Sequence, residues 1–118
     1  MSLDRFGPGS AVELAVVEDG ELARQMGRQA EAAAGFMKAL GHPGRLMILC
    51  HLAGGEKSVT ELEALLGQRQ AAVSQQLARL RLEGLVSTRR DGKAIYYAIE
   101  DTRVLALVRS LPGLFAAA

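Results

Sequence analysis

Apolar residues recur along this chain at two different spacings, and the change of spacing divides it. Over residues 21–40, Leu22, Met26, Ala30, Ala33, Met37 and Leu40 stand three or four apart, which predicts one amphipathic helix. The run Ala32, Ala33, Ala34 favours helix further. Gly41 ends it, and Pro43 opens a second helix at a position where its missing N–H does no harm. That helix is expected to run to about residue 53, with Leu46, Leu49 and Leu52 apolar, before Gly54-Gly55 stops it. Ser58 or Thr60 can cap a short third helix carrying Leu62, Leu65 and Leu66, with Gly67 as its left-handed cap. A fourth, over about residues 70–83, sets Val73, Leu77 and Leu80 on one face, and Gly84 terminates it.

The period then falls from 3.6 to 2. Residues 85–90 and 93–99 flank Asp91-Gly92, a dipeptide suited to a hairpin turn whose two central residues both take positive φ. Ile95, Tyr97 and Ile99 share one strand face and are expected to cover the core. A last helix is expected over residues 102–111, with Val104, Leu105, Leu107, Val108 and Leu111 apolar, and Pro112-Gly113 weakens or breaks it. Residues 1–19 contain Gly7, Pro8 and Gly9 and predict a flexible arm. Residues 20–118 are then one domain.

A helix, a short helix, a tight turn, a second helix and a β-hairpin in that order make a helix-turn-helix with a wing. The expected fold class is mainly α with a β-hairpin wing, α+β, a winged helix-turn-helix. Charge sharpens this reading. Residues 1–67 hold six Lys/Arg against nine Asp/Glu, while residues 68–98 hold six against two. A net charge of +1 for the whole chain therefore conceals a basic block confined to the helix-turn-helix and wing.

On a helical wheel Gln75 and Arg79 lie opposite Val73, Leu77 and Leu80, with Ser74 and Gln70 flanking. Glutamine can pair with adenine through two bonds, and arginine with guanine or phosphate. Arg69 stands at the helix start, where backbone N–H groups also favour phosphate. Arg89, Arg90 and Lys93 cluster about the hairpin tip, where a wing meets the DNA backbone or minor groove. Each residue taken singly is equally readable as a solvated surface side chain; their shared geometry favours double-stranded operator DNA as the partner. A winged-helix module that binds only protein is the alternative.

Composition removes other classes. No nucleophile–base pair, paired carboxylates or phosphate-cradling loop marks an enzyme, and no cofactor is expected. No run of 18 apolar residues suggests a membrane span, and no basic-then-apolar leader precedes the first helix, so the expected location is the cytoplasm. Cys50 is the one cysteine, which excludes a disulfide within the chain.

Several segments resemble the ArsR/SmtB repressors: Ala39-Leu40-Gly41-His42-Pro43-Gly44-Arg45-Leu46, Ser58-Val59-Thr60-Glu61-Leu62, Val73-Ser74-Gln75-Gln76-Leu77-Ala78-Arg79-Leu80, Glu83-Gly84-Leu85-Val86 and Lys93-Ala94-Ile95-Tyr96-Tyr97. The resemblance covers about residues 30–111. It implies a homodimer built on the first and last helices, repression of transcription, and release from DNA by an inducer that the sequence does not name. Metal-sensing members carry Cys-x-Cys where this chain has Ser58-Val59-Thr60, or His and acidic ligands on the last helix, where this chain has no histidine. The only histidines are His42 and His51, so no metal site is expected. Pro43-Gly44-Arg45-Leu46-Met47-Ile48-Leu49-Cys50 resembles the BigR/SqrR-type thiol sensors, whose second cysteine would fall near Ala116 and is absent. Cys50 is then a lone redox-sensing thiol, a remnant, or a small core residue; free cysteine is so often buried that the core reading is favoured.

Overall fold

The computed structural model describes residues 19–116. The arm expected over residues 1–19 lies, but for Asp19, outside them. The chain divides into two units, Met1–Gly35 and Phe36–Ala118.

In the first unit, helix α1 is Asp19–Gly27, and α2, Ala30–Leu40, begins before the unit ends. Sequence periodicity predicted one helix through this region; the structure has two, parted by a turn at Arg28-Gln29. There the Gln29 N–H reaches back three residues to the Met26 carbonyl (2.9 Å) instead of four. Gly27, a weak helix former, stands where the pattern gives way. On α1, Glu21 pairs with Arg24 and accepts from the Gln25 amide at 3.2 Å.

The second unit holds the core. Helix α3, Pro43–Leu52, starts as expected with proline in its first turn, and His42 is its cap: Nδ1 accepts from the Gly44 N–H at 3.0 Å. Strand β1 is the two residues Lys57–Ser58, and α4 is Val59–Leu66. Ser58, not Thr60, caps α4. Its Oγ accepts from the Glu61 N–H at 3.1 Å, while the Glu61 carboxylate accepts from the Ser58 N–H at 2.8 Å. Gly67 adopts φ 63°, the left-handed conformation that turns the chain sharply into α5, Gln70–Leu82.

Ile48, Leu49, Leu62, Val73, Leu77, Leu80 and Val104 are fully buried and form the centre of the core. Val73, Leu77 and Leu80 thus face inward together, which fixes which side of α5 faces out.

Strands β2, Val86–Asp91, and β3, Ala94–Ile99, form the hairpin, and β1 adds a third strand on the far side of β3. No alternating pattern announces a strand of two residues, so it was not foreseen. The turn lies one residue later than the sequence suggested. Asp91 pairs with Ala94, leaving Gly92-Lys93 as the loop. Gly92 has φ 64° and Lys93 does not enter the positive-φ region. Glycine at the first central position is the type II′ arrangement, so Asp91 remains in the ladder instead of turning.

Helix α6 is Thr102–Phe115, capped by Asp101, whose carboxylate accepts from the Arg103 N–H at 2.9 Å. It does not stop at Pro112 as expected. Proline's fixed φ is itself helical, and at this position it removes only one donor, so a further turn follows.

Candidate nucleic-acid interface

Gln70, Ser74 and Gln75 are exposed along α5, away from its buried stripe. Ala71 and Ala78 are exposed beside them. Such small side chains let the helix approach a groove closely. Arg69 is the residue before α5; it is exposed and makes no side-chain cap, so the first N–H groups of the helix keep open donors beside a guanidinium.

The wing divides its three cations. Alternation along β2 sends Arg89 and Arg90 to opposite faces of the sheet, since Arg89 pairs with Tyr96 and Arg90 with Ile95. Arg89 is held. Its Nε lies 3.0 and 2.9 Å from the two Glu56 oxygens, a terminal nitrogen makes a further contact with Glu56, and the guanidinium stacks 4.6 Å from the Tyr96 ring centre. Those hydrogen bonds hold the Glu56 carboxyl below the usual carboxylate range. Arg90 and Lys93 are exposed and enter no ion pair among the described residues. Lys93 and Ile95 border a crevice of about 180 Å³ with Gln70 and the Ser58–Thr60 start of α4. The fold thus brings the wing turn against the amino ends of α4 and α5, while Arg89 is engaged by Glu56 and Tyr96.

Arg79 is half-buried and paired at 3.1 Å with Glu83, the residue that caps the end of α5. Both side chains are partly open to solvent, and such a pair contributes little to stability.

Three residues that shape this region were not among the candidate site residues of the sequence: Glu56, Gln76 and Arg45. Arg45 donates to the Ala39 carbonyl (2.6 Å), the Lys38 carbonyl (3.3 Å) and Gln76 Oε1 (3.2 Å). Gln76 lies three residues after Val73 and four before Leu80, at the edge of the buried stripe, which the helical wheel could have distinguished from Gln75. Nothing in the sequence joins Glu56 to Arg89, 33 residues away.

Cys50 is exposed, which overturns the favoured reading of a small core residue. The buried positions of α3 are Ile48, Leu49 and Leu52, and Cys50 falls outside their face. It borders an open apolar hollow of about 510 Å³ with Met37, Leu40, Leu46, Leu107 and Phe115.

Residues 42–88 match the model of the bacterial regulatory protein family arsR. The biofilm growth-associated repressor of Agrobacterium fabrum is 46% identical over 78% of this chain and 79% of its own length. The chain belongs to the ArsR family. The crystal structure of the transcriptional repressor BigR from Xylella fastidiosa superposes with a TM-score of 0.78, at 42% identity over 80% of this chain and 97% of that one. The transcriptional activator HlyU of Vibrio cholerae is 38% identical over 78% of this chain and 85% of its own. As an ArsR protein with an intact helix-turn-helix and wing, the chain is a DNA-binding transcriptional regulator.

Proposed function

We propose that the protein is a cytoplasmic homodimeric repressor that reads operator DNA with Gln70, Ser74 and Gln75. Arg69, Arg90 and Lys93 meet phosphates, and Arg79 joins them once its exposed pair with Glu83 opens. Arg89 instead serves the wing's architecture through Glu56 and Tyr96. The observation that carries this reading is the meeting of Lys93 with Gln70 at one crevice, beside the exposed face of α5. A helix aimed into the major groove and a wing beside it then grip one stretch of backbone.

Dimerisation is supported by apolar side chains left open on the terminal helices. Leu22 on α1 is 56% exposed, and Leu114 and Phe115 on α6 are 72% and 80% exposed. A second copy covers such surface, and two-fold symmetry matches paired half-sites. Inducer release completes the repressor reading, and Cys50, solvent-facing at an apolar hollow, is the thiol an electrophilic inducer would meet.

The test is binding of a duplex, selected by the protein from a random library, across a salt series. The expected result is a dimer whose affinity falls linearly in log–log coordinates, with a slope of about −0.9 for each phosphate met. A monomer by light scattering at micromolar concentration, or affinity indifferent to salt, refutes the proposal.

A further inference from the structure

Gln76 adjoins the base-reading residues but differs from them in one respect: its amide cannot choose its orientation. The Arg45 guanidinium carries only donors, so the atom 3.2 Å from it must be the Gln76 oxygen. Arg45 is itself not free to follow the glutamine. Its Nε is fixed on the Ala39 carbonyl and a terminal nitrogen on the Lys38 carbonyl, which also accepts from the Gly41 N–H, at the carboxyl end of α2, where the helix dipole favours a cation. The approach is close as well. A side chain on Gly44 would touch Gln76 Cγ at 3.6 Å and press the His42 cap at 3.1 Å. The Gln76 NH2 group has no partner among the described residues, and the side chain is only half-buried.

We propose that Arg45 is a positioning residue for DNA recognition. It locks the Gln76 amide with its NH2 turned away from the guanidinium, as a donor-only contact beside Gln75 for an acceptor on DNA. The acceptor is a phosphate oxygen or a purine or thymine acceptor on a base edge. A free glutamine offers a donor and an acceptor and tolerates either kind of atom; a locked one does not. The end of α2 is thereby connected to the DNA-facing side of α5 through one planar cation. This inference rests on the DNA-binding reading above.

The experiment uses the full-length chain and two labelled duplexes: one selected by the wild-type protein, and one scrambled to the same composition. Arg45→Met, Gln76→Met and their double variant are compared at fixed salt, with folding followed by urea denaturation. Each single variant is expected to lose about tenfold in affinity for the selected duplex, the size of one well-made hydrogen bond. The double variant is expected to lose no more than Gln76→Met alone, because Arg45 acts on DNA only through Gln76. Gln76→Glu keeps the acceptor for Arg45 but has no donor. It should hold the wild-type urea midpoint yet bind more weakly, and it keeps the test open should a methionine variant fail to fold. Loss on both duplexes alike identifies a phosphate, and loss confined to the selected duplex identifies a base edge; both support the proposal. Losses that multiply in the double variant, or wild-type affinity in Arg45→Met or Gln76→Glu, overturn it. A wild-type chain that selects no duplex would instead sink the regulator reading, and this inference with it.

Discussion

Replacing Glu56 with Gln should make DNA binding more sensitive to salt. In the folded chain both Glu56 oxygens are occupied by Arg89, whose guanidinium also lies on the Tyr96 ring. With that carboxylate neutralised, Arg89 keeps its stacking and only the longer, solvent-exposed pair with Asp91 at 3.8 Å, and a phosphate becomes its best anionic partner. Each phosphate newly met adds about 0.9 to the steepness of log affinity against log salt, and two wings in a dimer add about 1.8. Between 50 and 200 mM salt this is about a twelvefold larger loss than the wild type suffers. The assay is fluorescence anisotropy of one labelled duplex at five or six potassium chloride concentrations. Arg89→Ala supplies the control: it should leave the wild-type slope unchanged but remove the added steepness from Glu56→Gln. The reasoning fails if Arg89→Ala alone flattens the wild-type slope by about 1.8. Phosphate would then displace Glu56 without help, and Arg89 would belong to the interface after all.

Gln75→Ala should erode discrimination between selected and scrambled duplexes by about 1–3 kcal/mol if its contact has two bonds; equal losses on both would remove Gln75 from base reading. Leu77→Ala, at a fully buried site, should cost about 2–5 kcal/mol in urea denaturation, and a cost near zero would contradict the core assignment. Cys50→Ser should change stability by no more than about 0.5 kcal/mol, with one thiol per native chain open to a disulfide reagent; an unreactive thiol would restore the buried reading. Hydrogen bonds from arginines hold both Glu56 and Asp101 below their ordinary carboxylate values. Their ionised forms therefore favour the fold above about pH 4, and that support is lost as pH falls through the lowered values. Melting should be flat near neutrality and decline in acid, less steeply in a Glu56→Gln, Asp101→Asn double variant; a melting temperature that rises in acid would refute the sign.

The elements whose evidence is local were legible in the sequence. Val73, Leu77 and Leu80 announce the inner face of α5 by spacing alone, and Gly67 and Pro43 mark ends that depend only on their own backbone preferences. Failures occurred where one residue's preference competed with its neighbours'. Gly27 ended a helix that the apolar spacing would have continued, Pro112 did not end one, and the ladder kept Asp91 and moved the turn to Gly92-Lys93. At the interface, exposure of Gln70, Ser74 and Gln75 follows from the wheel, but the state of each cation does not. Arg89, Arg90 and Lys93 look alike in sequence, and only strand alternation and the arrival of Glu56 from before β1 separate them. Cys50 was misread because a general tendency of cysteine was set against the particular face of α3, where Ile48, Leu49 and Leu52 already supply the inward positions.

Ser58 belongs to two structures at once, as a rung opposite Tyr96 and as the cap of α4. The wing is therefore bolted at mid-length to the helix-turn-helix, and its base cannot swing without unwinding the first turn of α4. Past that bolt the rungs Arg90–Ile95 and Asp91–Ala94 and the Gly92-Lys93 loop have no third strand beside them, and Lys93 and Ile95 face the starts of α4 and α5 across the small crevice. Freedom is thus left to the outermost side chains, Arg90 and Lys93, which enter no ion pair among the described residues. The wing works as a stiff beam with a soft fingertip: its aim along the duplex is set by the fold, while Arg90 and Lys93 can follow the local width of the groove they reach.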